Sequence, residues 1–192
     1  MGNRDYKNFS KGCIYHLYNR GDNKEIIFRD EQDYRALLFR LGLGLGIEKR
    51  DLNECEITRS PKSRIRIGSL KPNNFKLHAF CLMPNHIHLL IEQCEEESLS
   101  KLLLRVITSF SKYINLKHRR IGHVFQDRFK SAQIETNPKL MLISSYIHMN
   151  SVKDSLVNNP EEYKWSSYND FIFNRKNPIV TKQFLIEVFG GT

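Results

Sequence analysis

Only four cysteines occur in the 192 residues, Cys13, Cys55, Cys81 and Cys94. No two of them form a CxxC pair, which excludes a locally encoded zinc ribbon or disulfide framework and leaves reduced, mostly buried thiols as the expectation. No uninterrupted apolar stretch is long enough to span a bilayer. The opening MGNRDYKNFSKG lacks an apolar signal core, and Tyr6 breaks the myristoylation pattern. No membrane partner is expected, and the expected location is cytoplasmic. Internal repeats and low-complexity tracts are also missing, which removes solenoids and disordered arrays from consideration.

Acidic residues are in deficit. Lys plus Arg total 30 against 21 Asp plus Glu, a formal charge of +9, which points to a polyanionic partner. Clustering favours nucleic acid over an anionic membrane surface. Between Ile57 and Lys76 lie Arg59, Lys62, Arg64, Arg66, Lys71 and Lys76 without an acid, and Lys117, Arg119 and Arg120 form a second group. Hydrophobic residues at 40% and charged residues at 27% describe a globular chain, and its length favours a single domain.

The order of elements follows from periodicity. Cys13 to Tyr18 reads as a first strand, and Asp30 caps a helix carrying Tyr34, Leu37, Leu38 and Leu41, which should fray near Gly42, Gly44 and Gly46. From about Asp51 to Asn74 the chain reads as a basic loop or hairpin arm, with Ile65 and Ile67 alternating against Arg64 and Arg66. Leu77–Leu82 and Ile87–Ile91 should be two core strands joined by a tight turn. Leu99, Leu102, Leu103, Val106, Phe110, Tyr113 and Ile114 mark a long amphipathic helix. A turn and strand are expected within Gly122–Ile134, then a helix from an Asn137 cap with Pro138 at its first position, running to about Asn150 and packing the sheet through Leu142 and Ile143. The tail, with Trp165, Tyr168, Phe171 and Phe173, is too apolar to be a free linker. The expected fold is α+β: a ferredoxin-like, RRM-like sandwich, an antiparallel sheet with helices on one face, plus a C-terminal helical extension. The core is expected over about 12–150, the arm over about 51–74 and the docked extension over about 151–192.

Two local patterns carry chemistry. In Asn85-His86-Ile87-His88, residues two apart in a strand share a face with Cα atoms about 6.5 Å apart, so both imidazoles can converge on one divalent cation. Taken alone, this pair is more often the mark of two ordinary histidines at a strand edge. On the last helix Tyr146 and Asn150 stand four apart on one face, a phenol beside an oxygen ligand. A buried tyrosine with a satisfied hydroxyl is the competing account. His148 projects from a different face, and Tyr113, the rival nucleophile, follows Val106 and Phe110 at helical spacing and reads as core.

Specificity comes from longer tracts. LMPNHIHLLI, SFSKYINLKHRRIGHVFQDRFKS, and SYIHMNSVKDSLV followed by YKWSSY occur in the order found in REP-associated tyrosine transposases. The chain resembles that family, and the related IS200-like transposases of the single-tyrosine HUH superfamily, from about Tyr15 to Tyr168. The resemblance implies metal-dependent nicking and strand transfer of single-stranded DNA through a 5′-phosphotyrosyl intermediate. By position, His86 and His88 match the histidine pair that binds Mg²⁺ or Mn²⁺, Tyr146 matches the nucleophile, and Asn150 matches a third ligand that is glutamine in many IS200-like relatives. It further implies a stem-loop DNA partner and either a monomer or a homodimer. Phosphate contacts are expected from Arg64, Arg66, Arg119 and Arg120, with Arg128 and Lys130 from the family-like tract. Two features depart from the family: Asn150-Ser151-Val152 stands where NPV is usual, and the 51–74 arm is longer. A non-catalytic single-stranded nucleic-acid binder is the alternative from another class, disfavoured because no aromatic run such as KGFGFVxF is present. A domesticated relative that regulates by binding is a third.

Overall fold

The computed structural model describes residues 9–54, 70–173 and 175–190. Its elements follow the order β1 (Cys13–Arg20), α1 (Glu31–Gly44), α2 (Lys49–Glu54), β2 (Phe75–Met83), β3 (His86–Gln93), α3 (Leu99–His118), β4 (Lys130–Ile134), α4 (Asn137–Lys153), α5 (Tyr168–Ile172) and α6 (Gln183–Val188). The four strands form one antiparallel sheet in the order β2-β3-β1-β4. This is the α+β sandwich that the element order predicts.

Strand alternation sorts the side chains into two layers. Leu17 of β1 and Ile87, Leu89 and Ile91 of β3 enter the larger core with Leu37, Leu41, Leu102, Val106 and Phe110 of α1 and α3. Residues of opposite parity, Leu90 with Ala79, Cys81 and Met83, meet Leu140 and Ile147 of α4 in a second core. The helices α1 and α3 therefore share one face as expected, while α4 covers the other. A register shift between Leu77 and Ala79 changes the parity of β2, which is how Leu77, Phe80 and Leu82 all reach the larger core.

Helix boundaries differ from the sequence reading where packing outweighs propensity. The Asp30 side chain accepts from the Asp33 amide as the predicted cap, and α1 runs through Gly42 to end at Gly44, with Gly46 in the left-handed region at φ 83° just beyond. A Cβ at Gly42 would lie 2.4 Å from Leu52 Cδ2, and one at Gly44 would lie 2.5 Å from Leu102 Cδ1. These glycines let α2 and α3 approach closely, and the helix ends among them, as the sequence suggests. At α4 the cap is Thr136, whose hydroxyl accepts from the Lys139 amide, one residue before the expected Asn137. Leu142, expected to pack the sheet, is 68% exposed, and Leu140 and Ile147 do that work.

The chain after α4 returns across β2. Leu82 N donates to the Trp165 carbonyl at 2.9 Å, and Val180 bridges Leu77 in parallel. Trp165 stacks on Tyr34 at 4.4 Å with the planes 6° apart, a contact worth about 1 kcal/mol beyond the area it buries. Buried His78 contacts the Thr181 carbonyl through Nδ1 at 3.2 Å and Glu92 through Nε2 at 2.9 Å, tying this segment to the sheet. Phe173 stays 64% exposed. The basic alternation around Arg64 and Arg66 lies outside the described residues.

Candidate active site

The second face of the sheet carries the polar residues. Antiparallel pairing sets Tyr18 opposite His88 and Arg20 opposite His86, so these four side chains project from the ends of β1 and β3 on the α4 side. Across the gap, α4 contributes Tyr146 and Asn150, followed by Lys153 and Asp154 one turn on. Together with Asn19, Gln126, Asp127 and Lys130 they line a cavity of about 410 Å³.

His86 and His88 rings meet edge to face at 5.1 Å between centroids, and the Tyr146 ring meets His88 the same way at 5.5 Å. The expected convergence of imidazoles and phenol therefore occurs within one chain. Asn150 is buried, and its amide nitrogen donates to the backbone carbonyls of Tyr146 at 2.8 Å and Ile147 at 3.4 Å. With the NH₂ group committed to the helix, the amide oxygen is the atom left for the cavity. Lys153 sits over the Tyr146 ring at 5.2 Å, and Asp154 Oδ2 lies 4.0 Å from His86 Nε2.

Burial governs the charge state. It holds the His88 imidazole down at about 3, reinforced by the neighbouring His16, His86 and Lys153. Burial likewise lowers His16 to about 4. His86 is lowered too, mainly by burial, with nearby Arg20 adding to the effect and Asp154 opposing it. At neutral pH all three rings are uncharged and keep a lone pair each. The His86 Nδ1–H donates to Asn85 Oδ1 at 2.7 Å, which leaves Nε2 as the lone-pair nitrogen.

Among the described residues no three His, Cys, Asp or Glu side chains are arranged to hold a cation. His86, His88 and Asn150 line the cavity together, so an amide oxygen is available there beside the two imidazoles. Two neutral imidazoles and one amide oxygen would suit an open Mn²⁺ or Mg²⁺ site, with water and phosphate supplying the rest. Arg20, Lys130 and Lys153 add positive charge around the opening.

The remaining sequence candidates are distributed unevenly. Lys130 lines the cavity. Arg128 lines an adjoining cleft of about 510 Å³ with Phe9, Leu104, Ile107 and Phe129; the cleft shares Asn19 and Asp127 with the cavity. Arg120 is engaged with Glu25 at 2.7 Å, and Arg119 closes α3 in a left-handed conformation with φ at 51°; neither lines the cavity. Tyr113 is buried in the larger core, under Arg40 at 4.9 Å. His148 faces away from the site and meets Ser167 Oγ at 2.8 Å. A further cleft, about 620 Å³, is lined by Tyr34, Trp165 and Arg29 with Glu25, Asp30 and Glu31, carboxylates paired to Arg120, Lys117 and Lys164.

Sequence reasoning did not single out His16, Tyr18, Arg20, Asp127, Lys153 or Asp154. The period-two series His16, Tyr18, Arg20 on β1 was readable, but its alignment with His86 and His88 is a matter of register. Lys153 was within reach, since it follows Tyr146 by seven residues and Asn150 by three, and so recurs on the same helical face.

Comparison with known proteins gives a family and a fold. A model of the family described as Transposase IS200 like matches residues 54–150. The structure of a REP-associated tyrosine transposase bound to a REP hairpin superposes with a TM-score of 0.63 at 16% identity, over 93% of this chain and 91% of the other. That likeness establishes the shared fold. A protein from Deinococcus radiodurans R1 described as a transposase aligns at a TM-score of 0.42 and 11% identity, over 76% of this chain and 95% of that one. No curated protein sequence matches the chain.

Proposed function

The chain belongs to the IS200-like transposase family, whose match spans just over half of its 192 residues, and from that premise we propose that it nicks and transfers single-stranded DNA with Tyr146 as nucleophile. The observation that carries this reading is the edge-to-face contact of Tyr146 with His88 beside His86, with Asn150 on the same helix. His86, His88 and Asn150 are the residues to hold Mg²⁺ or Mn²⁺. Such a cation, when bound, supplies Lewis-acid stabilisation of charge on a phosphate oxygen.

The protein's own groups do the rest. Arg20, Lys130 and Lys153 draw the phosphate into the cavity and hold it against Tyr146. The Tyr146 phenol oxygen attacks phosphorus in line; a P–O bond forms to tyrosine while the bond to the 3′ oxygen breaks. The phenol loses a proton and the departing 3′ oxygen gains one, so the step is proton-neutral overall. A free 3′-hydroxyl and a 5′-phosphotyrosyl linkage result, and the linkage preserves the bond energy for a second strand end to reverse the step. Lys153, over the Tyr146 ring, adds positive charge beside the phosphate as charge grows on its oxygens.

The substrate we propose is single-stranded DNA next to a hairpin. The adjoining cleft supports this: Phe9, Phe129 and Arg128 offer stacking surfaces to unpaired bases beside the cavity that takes the phosphate. With His86, His88, Tyr146 and Asn150 drawn from one chain, the proposed unit of activity is the monomer. Among the described residues no helix is long and apolar enough to cross a membrane. The test is incubation with Mn²⁺ and a labelled stem-loop oligonucleotide carrying a single-stranded flank. A covalent protein–DNA adduct with release of a 3′-hydroxyl fragment is expected; tight binding without any adduct identifies the non-catalytic binder instead.

A further inference from the structure

The contact between His16 and His88 has no counterpart in the roles described so far. The two rings lie nearly parallel, with centroids 5.2 Å apart and planes 18° apart, and His16 Nε2 is 2.9 Å from His88 Nδ1. Both rings are buried. A hydrogen bond at that distance needs one proton between two nitrogens, so one ring donates and the other accepts. We propose that His16 is a positioning residue that accepts the Nδ1 proton of His88 and so leaves His88 Nε2 as the lone pair facing the cation site. This inference rests on the metal-site reading above.

Three considerations support this placement, the second of them drawn from the metal-site reading. First, His86 is held in the same way: its Nδ1–H donates to Asn85 Oδ1, whose orientation is fixed by its own amide nitrogen donating to the Lys24 carbonyl at 3.3 Å. Its cavity nitrogen is Nε2, and two imidazoles converging on one cation through Nε2 require the same tautomer of both. Second, the alternative, with His16 donating, would place the proton of His88 on Nε2. A donor N–H would then point into a cavity whose proposed occupant is a cation, and the pair could not chelate. Third, His16 is locked in place. It stacks on Tyr18 at 5.1 Å, and its strand position pairs with Leu90, the next residue of the same parity beyond His88. The two rings are thus diagonal neighbours on one sheet face.

Ligating histidines are commonly oriented by a partner at the second ring nitrogen, and loss of that partner costs about 10- to 100-fold in metal affinity. That partner is usually a carboxylate or carbonyl; a neutral histidine adds no negative charge. His16 therefore fixes orientation and tautomer without attracting the cation, and a neutral acceptor of similar reach should replace it. Removing the acceptor while keeping the bulk should not be tolerated.

The experiment measures Mn²⁺ binding to the full chain by loss of the free-ion electron paramagnetic resonance signal, and the tautomer by ¹⁵N NMR of the metal-free protein. His16→Phe is expected to weaken Mn²⁺ binding 10- to 100-fold, and His16→Gln to stay within a few-fold of wild type. In the wild-type protein the His88 nitrogen shifts should report Nδ1–H and a bare Nε2. A bare Nδ1 overturns the proposal without any variant being made, and so does equal weakening in His16→Phe and His16→Gln. His88→Ala separates the two levels. If it abolishes binding while His16→Phe leaves Mn²⁺ affinity unchanged, His16 has no positioning role; if it leaves Mn²⁺ binding unchanged, the metal-site reading falls and this proposal with it.

Discussion

The imidazole of His88 and the phenol ring of Tyr146 meet at right angles, with centroids 5.5 Å apart and planes at 89°. One comes from a central strand and the other from the last long helix, so the contact exists only when α4 lies across the sheet face opposite α1 and α3. Tyr146 is thereby held beside the two histidines by a rigid helix rather than by a loop, which favours precise placement of an attacking oxygen.

Tyr146→Phe should abolish the covalent adduct with a stem-loop oligonucleotide while changing its affinity by no more than a few-fold, because only the attacking oxygen is removed. Tyr113→Phe should keep the adduct, since that ring is buried in the other core. Gel separation of covalent complexes after denaturation reads both outcomes. An adduct persisting in Tyr146→Phe would move the nucleophile elsewhere.

Chelation of divalent cations should stop adduct formation, and added Mn²⁺ should restore it. Asn150→Ala should weaken Mn²⁺ binding by about tenfold or more, since it removes the only oxygen donor of the proposed set. Calorimetric titration of the variant with Mn²⁺ is the direct measurement, and unchanged affinity would exclude Asn150 as a ligand.

DNA affinity should fall steeply with salt, because cationic side chains displace counterions from phosphates. Lys130→Ala, at the cavity rim, should reduce the slope of log K against log salt by about one unit. Arg120→Ala should change it less, since that guanidinium already pairs with Glu25. Filter binding across a salt series distinguishes the two.

Stability of the metal-free protein should decline as pH falls below about 6.5. His16 and His148, both held at about 4 by burial, and His88, held at about 3, stay neutral when folded but take up protons when unfolded. Between those values the unfolded chain binds more protons, so ΔG of unfolding drops as pH drops, and the loss is complete only near pH 3 to 4. Urea midpoints measured from pH 7.5 to 4 check the sign; a flat profile would show that these rings are not buried in neutral form.

Gly42→Ala should destabilise the fold by about 1–3 kcal/mol through overpacking against Leu52. Were α1 frayed there, as the run of glycines in the sequence suggests, the same change would help by up to about 1 kcal/mol through helix propensity. The sign of the shift in thermal midpoint therefore decides between a close helix contact and a loose helix end.

Much of the candidate site is encoded by local geometry. Two histidines two apart in an apolar run must share one strand face, and Tyr146 and Asn150 four apart must share one helix face; neither relation depends on the rest of the chain. Local patterns failed where a residue's meaning is set by a distant neighbour. Gly42 looks like a helix breaker until Leu52 is seen against it. Arg120 looks like part of a free basic patch until Glu25 is seen beside it. Leu142 fits a core pattern but lies on the outer side of α4.

By itself the sequence determined the seven main strands and helices, though it read the start of the 51–74 arm as loop where α2 ends, and it determined the antiparallel α+β class, the pairing of His86 with His88 and of Tyr146 with Asn150, and the excess of positive charge, because periodicity and composition are properties of short segments. Only the tertiary structure decided that α4 crosses the face opposite α1 and α3. It alone brought His16, Tyr18 and Arg20 into register with the histidine pair and gathered Lys130, Lys153 and Asp154 around the same cavity. Strand register and helix docking are fixed by burying two separate apolar layers at once, a constraint on the whole chain that no short segment contains.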